Sequence, residues 1–251
     1  MKDITTIFLP DIDKTNCQAP ILIEGLPGIG HVGKLVAEHI IQEWDAKKIA
    51  EIYSVYFPPQ VLVEDDGVVR LCNNEIYRYE DETGSFLILV GDFQSITNEG
   101  HYHLSDEYVR VAAELGVKRI YTLGGYGVGE FLEKPRVIGV VNDSSLVEQV
   151  RDAGGVFEVT EPGTGIIGAA GLMIGLAKLH NIEGICLMGE TSGYLVDPKA
   201  ATVVLNALCQ LIDKTFDTTH LSERASEMEA EIARVLEGNR PKSDDELSYI
   251  G

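Results

Sequence analysis

The chain has 251 residues, 45% of them hydrophobic, with 40 acidic against 20 basic side chains and a formal net charge of -20. That length can bury one large core without demanding a second domain, and the excess of negative charge repels nucleic-acid phosphate and anionic lipid alike, which excludes both as partners. The four cysteines, Cys17, Cys72, Cys186 and Cys209, are scattered and never fall as C-x-x-C, so buried free thiols in a reducing cytoplasm are expected rather than disulfides or a metal site.

The start, Met1-Lys2-Asp3-Ile4, has no long apolar stretch of the kind that leads a secreted chain, and the longest nearly uninterrupted apolar run, 166–177, is shorter than a membrane span. A cytoplasmic protein is the expectation. The first predicted strand, 21–24, runs into Gly28-Ile29-Gly30-His31-Val32-Gly33-Lys34-Leu35, and a helix is predicted over 31–44. Read as G-x-G-x-x-G, the string uses Gly28, Gly30 and Gly33, but the next predicted strand, 52–57, ends in Pro58-Pro59 without the acid that would hold a ribose. Read as a phosphate loop ending in Lys34, it has Leu35 where a magnesium-binding hydroxyl is required. The glycines therefore read as a sharp, closely packed turn. Gly28, Gly30, His31, Gly33 and Lys34 are kept as a candidate anion or ligand loop at a helix N-terminus.

Between 60 and 79 the βα alternation breaks, and Val61-Leu62-Val63-Glu64, the turn Asp65-Asp66-Gly67 and Val68-Val69-Arg70-Leu71 predict an antiparallel hairpin. Strands are predicted at 86–90, 119–123, 137–141, 156–159 and 184–188, and helices at 105–115, 144–153, 165–179 and 198–216. Asp197 followed by Pro198 marks the start of the last of these. The pattern predicts an α/β fold with a mixed, mostly parallel sheet and helices on both faces.

A second glycine loop, Gly124-Gly125-Tyr126-Gly127, follows the strand at 119–123, and Gly189-Glu190-Thr191-Ser192-Gly193 follows the strand at 184–188. The latter resembles a hydrolase elbow, but its centre is Thr191, so no serine nucleophile is assigned. Gly125, Tyr126, Glu130 and Glu190 define a candidate crevice at the strand ends, where a nucleoside- or phosphate-binding enzyme would work. Nothing in the spacing pairs the two glutamates, and no catalytic residue is assigned. His101 and His103, read as loop residues, lack a placeable third ligand, so no metal and no cofactor is expected.

Beyond 219, Leu221, Ala225, Met228, Ile232 and Val235 recur at alternating steps of four and three, an apolar stripe that suits packing on its own domain or on another subunit. Residues 239–251 then form a polar tail ending in Leu247-Ser248-Tyr249-Ile250-Gly251. The domain reading is a core over 1–219, an amphipathic helix over 220–238 and a flexible tail over 239–251.

Three blocks carry a resemblance: Gly25-Leu26-Pro27-Gly28-Ile29-Gly30-His31-Val32-Gly33-Lys34, Gly124-Gly125-Tyr126, and Gly189-Glu190-Thr191-Ser192-Gly193-Tyr194 running into Asp197-Pro198-Lys199-Ala200-Ala201. In that order they resemble the proteasome assembly chaperone 2 family over roughly 21–236. The resemblance implies a three-layer α/β/α sandwich similar to the purine nucleoside phosphorylase fold. It also implies a non-enzymatic homo-oligomer, or a hetero-oligomer with a paralogue, that binds proteasome α-subunits or the 20S particle. Members that engage the proteasome use a C-terminal hydrophobic-tyrosine-any-residue motif. Here Leu247, Tyr249, Ile250 and Gly251 are the corresponding docking candidates, with the tyrosine one place earlier than that pattern puts it.

Overall fold

The computed structural model describes residues 2–10, 20–157, 165–223 and 226. In chain order the elements are β1 (Ile4–Phe8), β2 (Ile21–Glu24), α1 (Val32–Glu43), β3 (Lys47–Ser54), β4 (Val61–Val63), β5 (Val69–Leu71), β6 (Asn74–Asp81), β7 (Gly84–Gly91), α2 (Asn98–Glu114), β8 (Arg119–Gly127), β9 (Val137–Val141), α3 (Val147–Asp152), β10 (Gly155–Val156), α4 (Ala169–Ala177), β11 (Glu183–Thr191) and α5 (Pro198–Ile212). Nine strands form one mixed sheet in the order β1-β3-β6-β7-β2-β8-β11-β9-β10, and β4 with β5 forms a separate hairpin. Its centre is parallel, β7-β2-β8-β11, and both flanks bring in antiparallel pairs.

Alternate residues of the central strands feed two cores, which is why these strands read as unbroken apolar runs. Ile23, Ile88, Tyr121 and Leu187 point to the side covered by α1, α3 and α5; Leu22, Leu87, Leu89 and Ile120 point to the side covered by α2 and α4. The result is the three-layer sandwich. Leu221, in the helical turn at 219–223, is buried in the first of these cores, so the visible start of the C-terminal stripe packs on its own domain. The remaining stripe positions, the domain boundary at 238 and the docking candidates Leu247, Tyr249, Ile250 and Gly251 lie outside the described residues.

Several predicted bounds move. The helix expected from 105 begins about two turns earlier, at Asn98, capped by Thr97, whose hydroxyl accepts from the Gly100 N–H at 3.0 Å. His101 and His103 are therefore helical rather than loop residues, and His103 stacks on Tyr56 at a centroid distance of 5.6 Å. The helix expected over 165–179 starts only at Ala169, because Gly168, with φ 101°, turns the chain just before it. Of the strand expected over 156–159, Val156 falls in the described strand Gly155–Val156, Phe157 does not, and 158–159 lie outside the described residues. Asp197 does cap α5 as expected, accepting from the Ala200 N–H at 2.9 Å.

Candidate functional site

The parallel strands β2, β8 and β11 all end at one edge of the sandwich, and the three sequence blocks meet there. The entry to α1 is tight: Gly30 has φ 63° and His31 φ 52°, and Asp197 N–H donates to the Gly30 carbonyl at 2.8 Å. A methyl group on Gly33 would lie 2.1 Å from the Leu123 carbonyl oxygen, and one on Gly125 would lie 2.2 Å from the Ile29 carbonyl oxygen. These glycines are spent on backbone touching backbone, α1 against β8 and the end of β8 against the loop before α1; residues 124–127 and 189–191, expected as loops, instead extend β8 and β11. Val128 N–H donates to the Thr191 carbonyl at 2.9 Å, tying the ends of β8 and β11 together.

Lys34 does not point into this turn. Its Nζ donates to the Gly91 carbonyl at 3.3 Å and pairs with Glu38 at 3.5 Å, so its charge is answered along α1 and at the end of β7. His31 stands exposed at the helix start, with no side-chain capping bond. The switch point between β2 and β7, from which α1 and α2 leave toward opposite faces, is where a doubly wound sheet opens to a ligand. Here Gln94 occupies it: its amide donates to the Pro27 carbonyl at 2.7 Å, and its oxygen accepts from Ala169 N–H at 2.9 Å, at the N-terminus of α4.

Of the candidate crevice, Gly125, Tyr126 and Glu190 are brought together and Glu130 stands apart in an exposed turn. Glu190 pairs in register with Tyr126 on the neighbouring strand, and Gly125 with Gly189. The Glu190 side chain is only 4% exposed and is gripped by Arg136, whose backbone N–H reaches Oε2 at 2.9 Å and whose Nε reaches the same oxygen at 3.0 Å. Arg136 holds this carboxyl below the usual range, outweighing the opposing effect of burial. Glu190 is thus a fixed anion that clasps the approach to β9 onto β11. Among the described residues, no group of three or more His, Cys, Asp or Glu side chains is placed to hold a metal ion.

Sequence reasoning passed over Glu24, the last residue of β2. Its side chain is 1% exposed; Oε1 accepts from Leu26 N–H at 2.8 Å, and Oε2 has no hydrogen-bond partner among the described residues. Burial pushes this carboxyl up to about 8 against the smaller opposing pull of the Leu26 and Leu123 backbone bonds, so it is mostly neutral at pH 7. It also passed over the apolar rim. Ile29, Phe131, Ile167 and Tyr194 are all at least half exposed at or near the closed loops. Their sequence signal is an isoleucine or aromatic residue inside or beside a glycine loop, where a purely structural turn would carry polar residues.

A three-layer α/β/α sandwich whose strand ends are closed by interlocked glycine loops defines the class of protein. Residues 22–236 match the PAC2 family, and the chain belongs to it. Uncharacterized protein MJ1210 of Methanocaldococcus jannaschii is 41% identical over 260 residues, covering 100% of this chain and 99% of that protein. PbaB of Pyrococcus furiosus, described with its crystal structure as an archaeal proteasome activator, is 41% identical with a TM-score of 0.87, covering 94% of this chain and 100% of that one. PbaA of the same organism, described as an archaeal homolog of proteasome-assembly chaperone, is 22% identical with a TM-score of 0.77 over 94% of this chain and 93% of that one, and shares the fold. No helix among the described residues is long and apolar enough to cross a membrane.

Proposed function

We propose that this chain is a cytoplasmic, non-enzymatic, proteasome-associated assembly chaperone or adaptor that oligomerises and docks on proteasome α-subunits through Leu247, Tyr249, Ile250 and Gly251. The observation that carries the reading is the 41% identity to a P. furiosus protein described as a proteasome activator, over nearly the whole of both chains. The strand-end geometry favours binding over small-molecule catalysis: the loops that would cradle a phosphate are bonded to one another, Gln94 fills the switch point, and Glu190 is neutralised by Arg136. The loops also present Ile29, Phe131 and Tyr194 outward beside exposed polar residues, as a protein-binding edge would. A terminal carboxylate and a tyrosine ring suit an inter-subunit pocket, and several tails on one oligomer would add avidity.

Retention of 20S particles on the immobilised full chain, against a form ending at Glu246, tests this. The full chain should retain 20S particles and the shortened one should not. Retention by both would remove the tail's role, and retention by neither would remove the proteasome role. A rise in melting temperature with phosphate, nucleosides or nucleotides would instead favour an enzyme working at the glycine loops.

A further inference from the structure

Glu24 stands first in a row of polar side chains that crosses the parallel strands. Register sets Glu24 beside Thr122 of β8 and Thr122 beside Cys186 of β11, all three on the same sheet face as Leu22 and Ile120. Its neighbours are satisfied. Thr122 Oγ1 donates to the Ala170 carbonyl at 3.0 Å, and burial keeps the Cys186 thiol protonated by pushing it up to about 12. Tyr108, which feels the Glu24 charge from α2, donates its hydroxyl to the Asn74 side-chain carbonyl at 2.6 Å. In this row Glu24 alone keeps a buried oxygen, Oε2, with no hydrogen-bond partner among the described residues.

No cation answers it from the elements packed around it. β7 and β8 set Leu89 and Thr122 beside it, and α4 carries no charged side chain over Ala169–Ala177. From α2 come Tyr108 and, one turn before Ser105, half-buried His101, whose pKa burial lowers so that it is mostly neutral at pH 7. Glu107 of the same helix binds Thr6 and Arg110 instead. An ionised Glu24 is therefore stable only where it can reach water.

The way out is the turn that follows it in the chain. Leu26 is buried, Pro27 half-buried, and Gly28 and Ile29 exposed, so the backbone passes from core to solvent directly after the carboxyl. Leu26 N–H donates to Glu24 Oε1 at 2.8 Å, and Gln94 joins the Pro27 carbonyl to the start of α4. We propose that the proton on Glu24 latches the turn at 26–29: with the proton in place the carboxyl stays under the turn, and without it the turn lifts off Gln94 and the carboxylate reaches solvent. The turn carries Ile29, so the same proton governs how that residue is presented at the strand ends. In the open form the carboxyl has its ordinary 4.5 and in the closed form about 8, so opening releases a proton. The closed form is fully favoured below about 4.5, and the open fraction rises by up to about tenfold per pH unit until it levels off above 8.

Hydrogen exchange on the full chain tests the latch between pH 6.5 and 8, read on peptides spanning 22–30 and 198–212 and corrected for the intrinsic pH dependence of amide exchange. Protection over 22–30 should fall by roughly tenfold per pH unit while that of α5 over 198–212 holds. Glu24→Gln keeps an acceptor for Leu26 N–H but has no proton to lose, and should make protection over 22–30 independent of pH. A second readout needs no substitution: the infrared C=O stretch of a buried protonated carboxyl should be present at pH 6.5 and vanish with a midpoint near 8. Equal pH slopes in the two proteins, or no protonated carboxyl at pH 6.5, would overturn the latch. So would a fall over 198–212 as steep as that over 22–30, since the proton would then govern global unfolding and not the turn.

Discussion

The loop cluster and the hairpin both rise from the same end of the sheet, and they solve opposite problems. At the cluster, the three sequence blocks are consumed in holding strand ends together: carbonyls press on glycines, Gln94 bridges Pro27 and Ala169, and Arg136 answers Glu190. At the hairpin, an unremarkable valine-rich stretch is pinned by Arg70 and leaves its outer face bare. The most recognisable motif is therefore chiefly architecture. The exposed apolar face of the hairpin has no motif at all.

Glycine substitutions break this comparison most directly. Gly33→Ala drives a methyl group to 2.1 Å from the Leu123 carbonyl, and neither backbone can yield without parting α1 from β8. A loss of about 3 kcal/mol or more is expected, read as a large fall in the denaturant midpoint or no soluble protein. In the hairpin turn, Gly67 has φ 82° with open space around it, so Gly67→Ala costs only the left-handed backbone penalty of about 1–2 kcal/mol, confined to the hairpin. Equal effects at the two positions would mean that the cluster is no tighter than the hairpin.

Glu24 supplies the next largest effect. Its folded-state pKa of about 8 lies above the ordinary 4.5, so the native state holds the proton more tightly than the unfolded chain. Stability from this group is complete below about 4.5 and is lost as pH rises toward and through 8. Glu24→Gln keeps an acceptor for Leu26 N–H and removes the titration. Relative to the unsubstituted chain it should gain stability between pH 5 and 9, on the order of a few kcal/mol at the upper end. Parallel pH profiles of the two proteins would show that this buried carboxyl is an ordinary charge after all.

Legibility in the sequence follows burial. β2, β7, β8 and β11 are covered on both faces and announce themselves as apolar runs; α5 announces itself through Asp197 and Pro198. β6, Asn-Glu-Ile-Tyr-Arg-Tyr-Glu-Asp, is only partly covered and carries charge at Glu75, Arg78, Glu80 and Asp81, so no apolar run marks it, and β1, Ile-Thr-Thr-Ile-Phe, is a short edge strand whose two threonines break its apolar run. The same physics hid Glu24, since a carboxylate that ends an apolar strand looks solvated until the fold leaves it 1% exposed. The candidate loop residues were legible as a group because glycine spacing survives in sequence. What they touch was not, because the contacts with Leu123, Ile29 and Thr191 span nearly a hundred residues or more.

Lys34 carries the smallest expected effect and the sharpest distinction. It is the residue that most tempts a phosphate-loop reading, since it follows Gly33 where such a loop places its lysine. Its ammonium is engaged instead by the Gly91 carbonyl and Glu38, both partly solvated contacts worth roughly a few tenths of a kcal/mol each. Lys34→Ala should therefore move the unfolding free energy by no more than about 0.5 kcal/mol and leave oligomer mass and 20S retention unchanged. If retention collapses while the melting temperature holds, then the charge at the start of α1 is being read by an anionic group on a partner. The strand-end cluster would then be a recognition surface through its charge as well as its apolar rim.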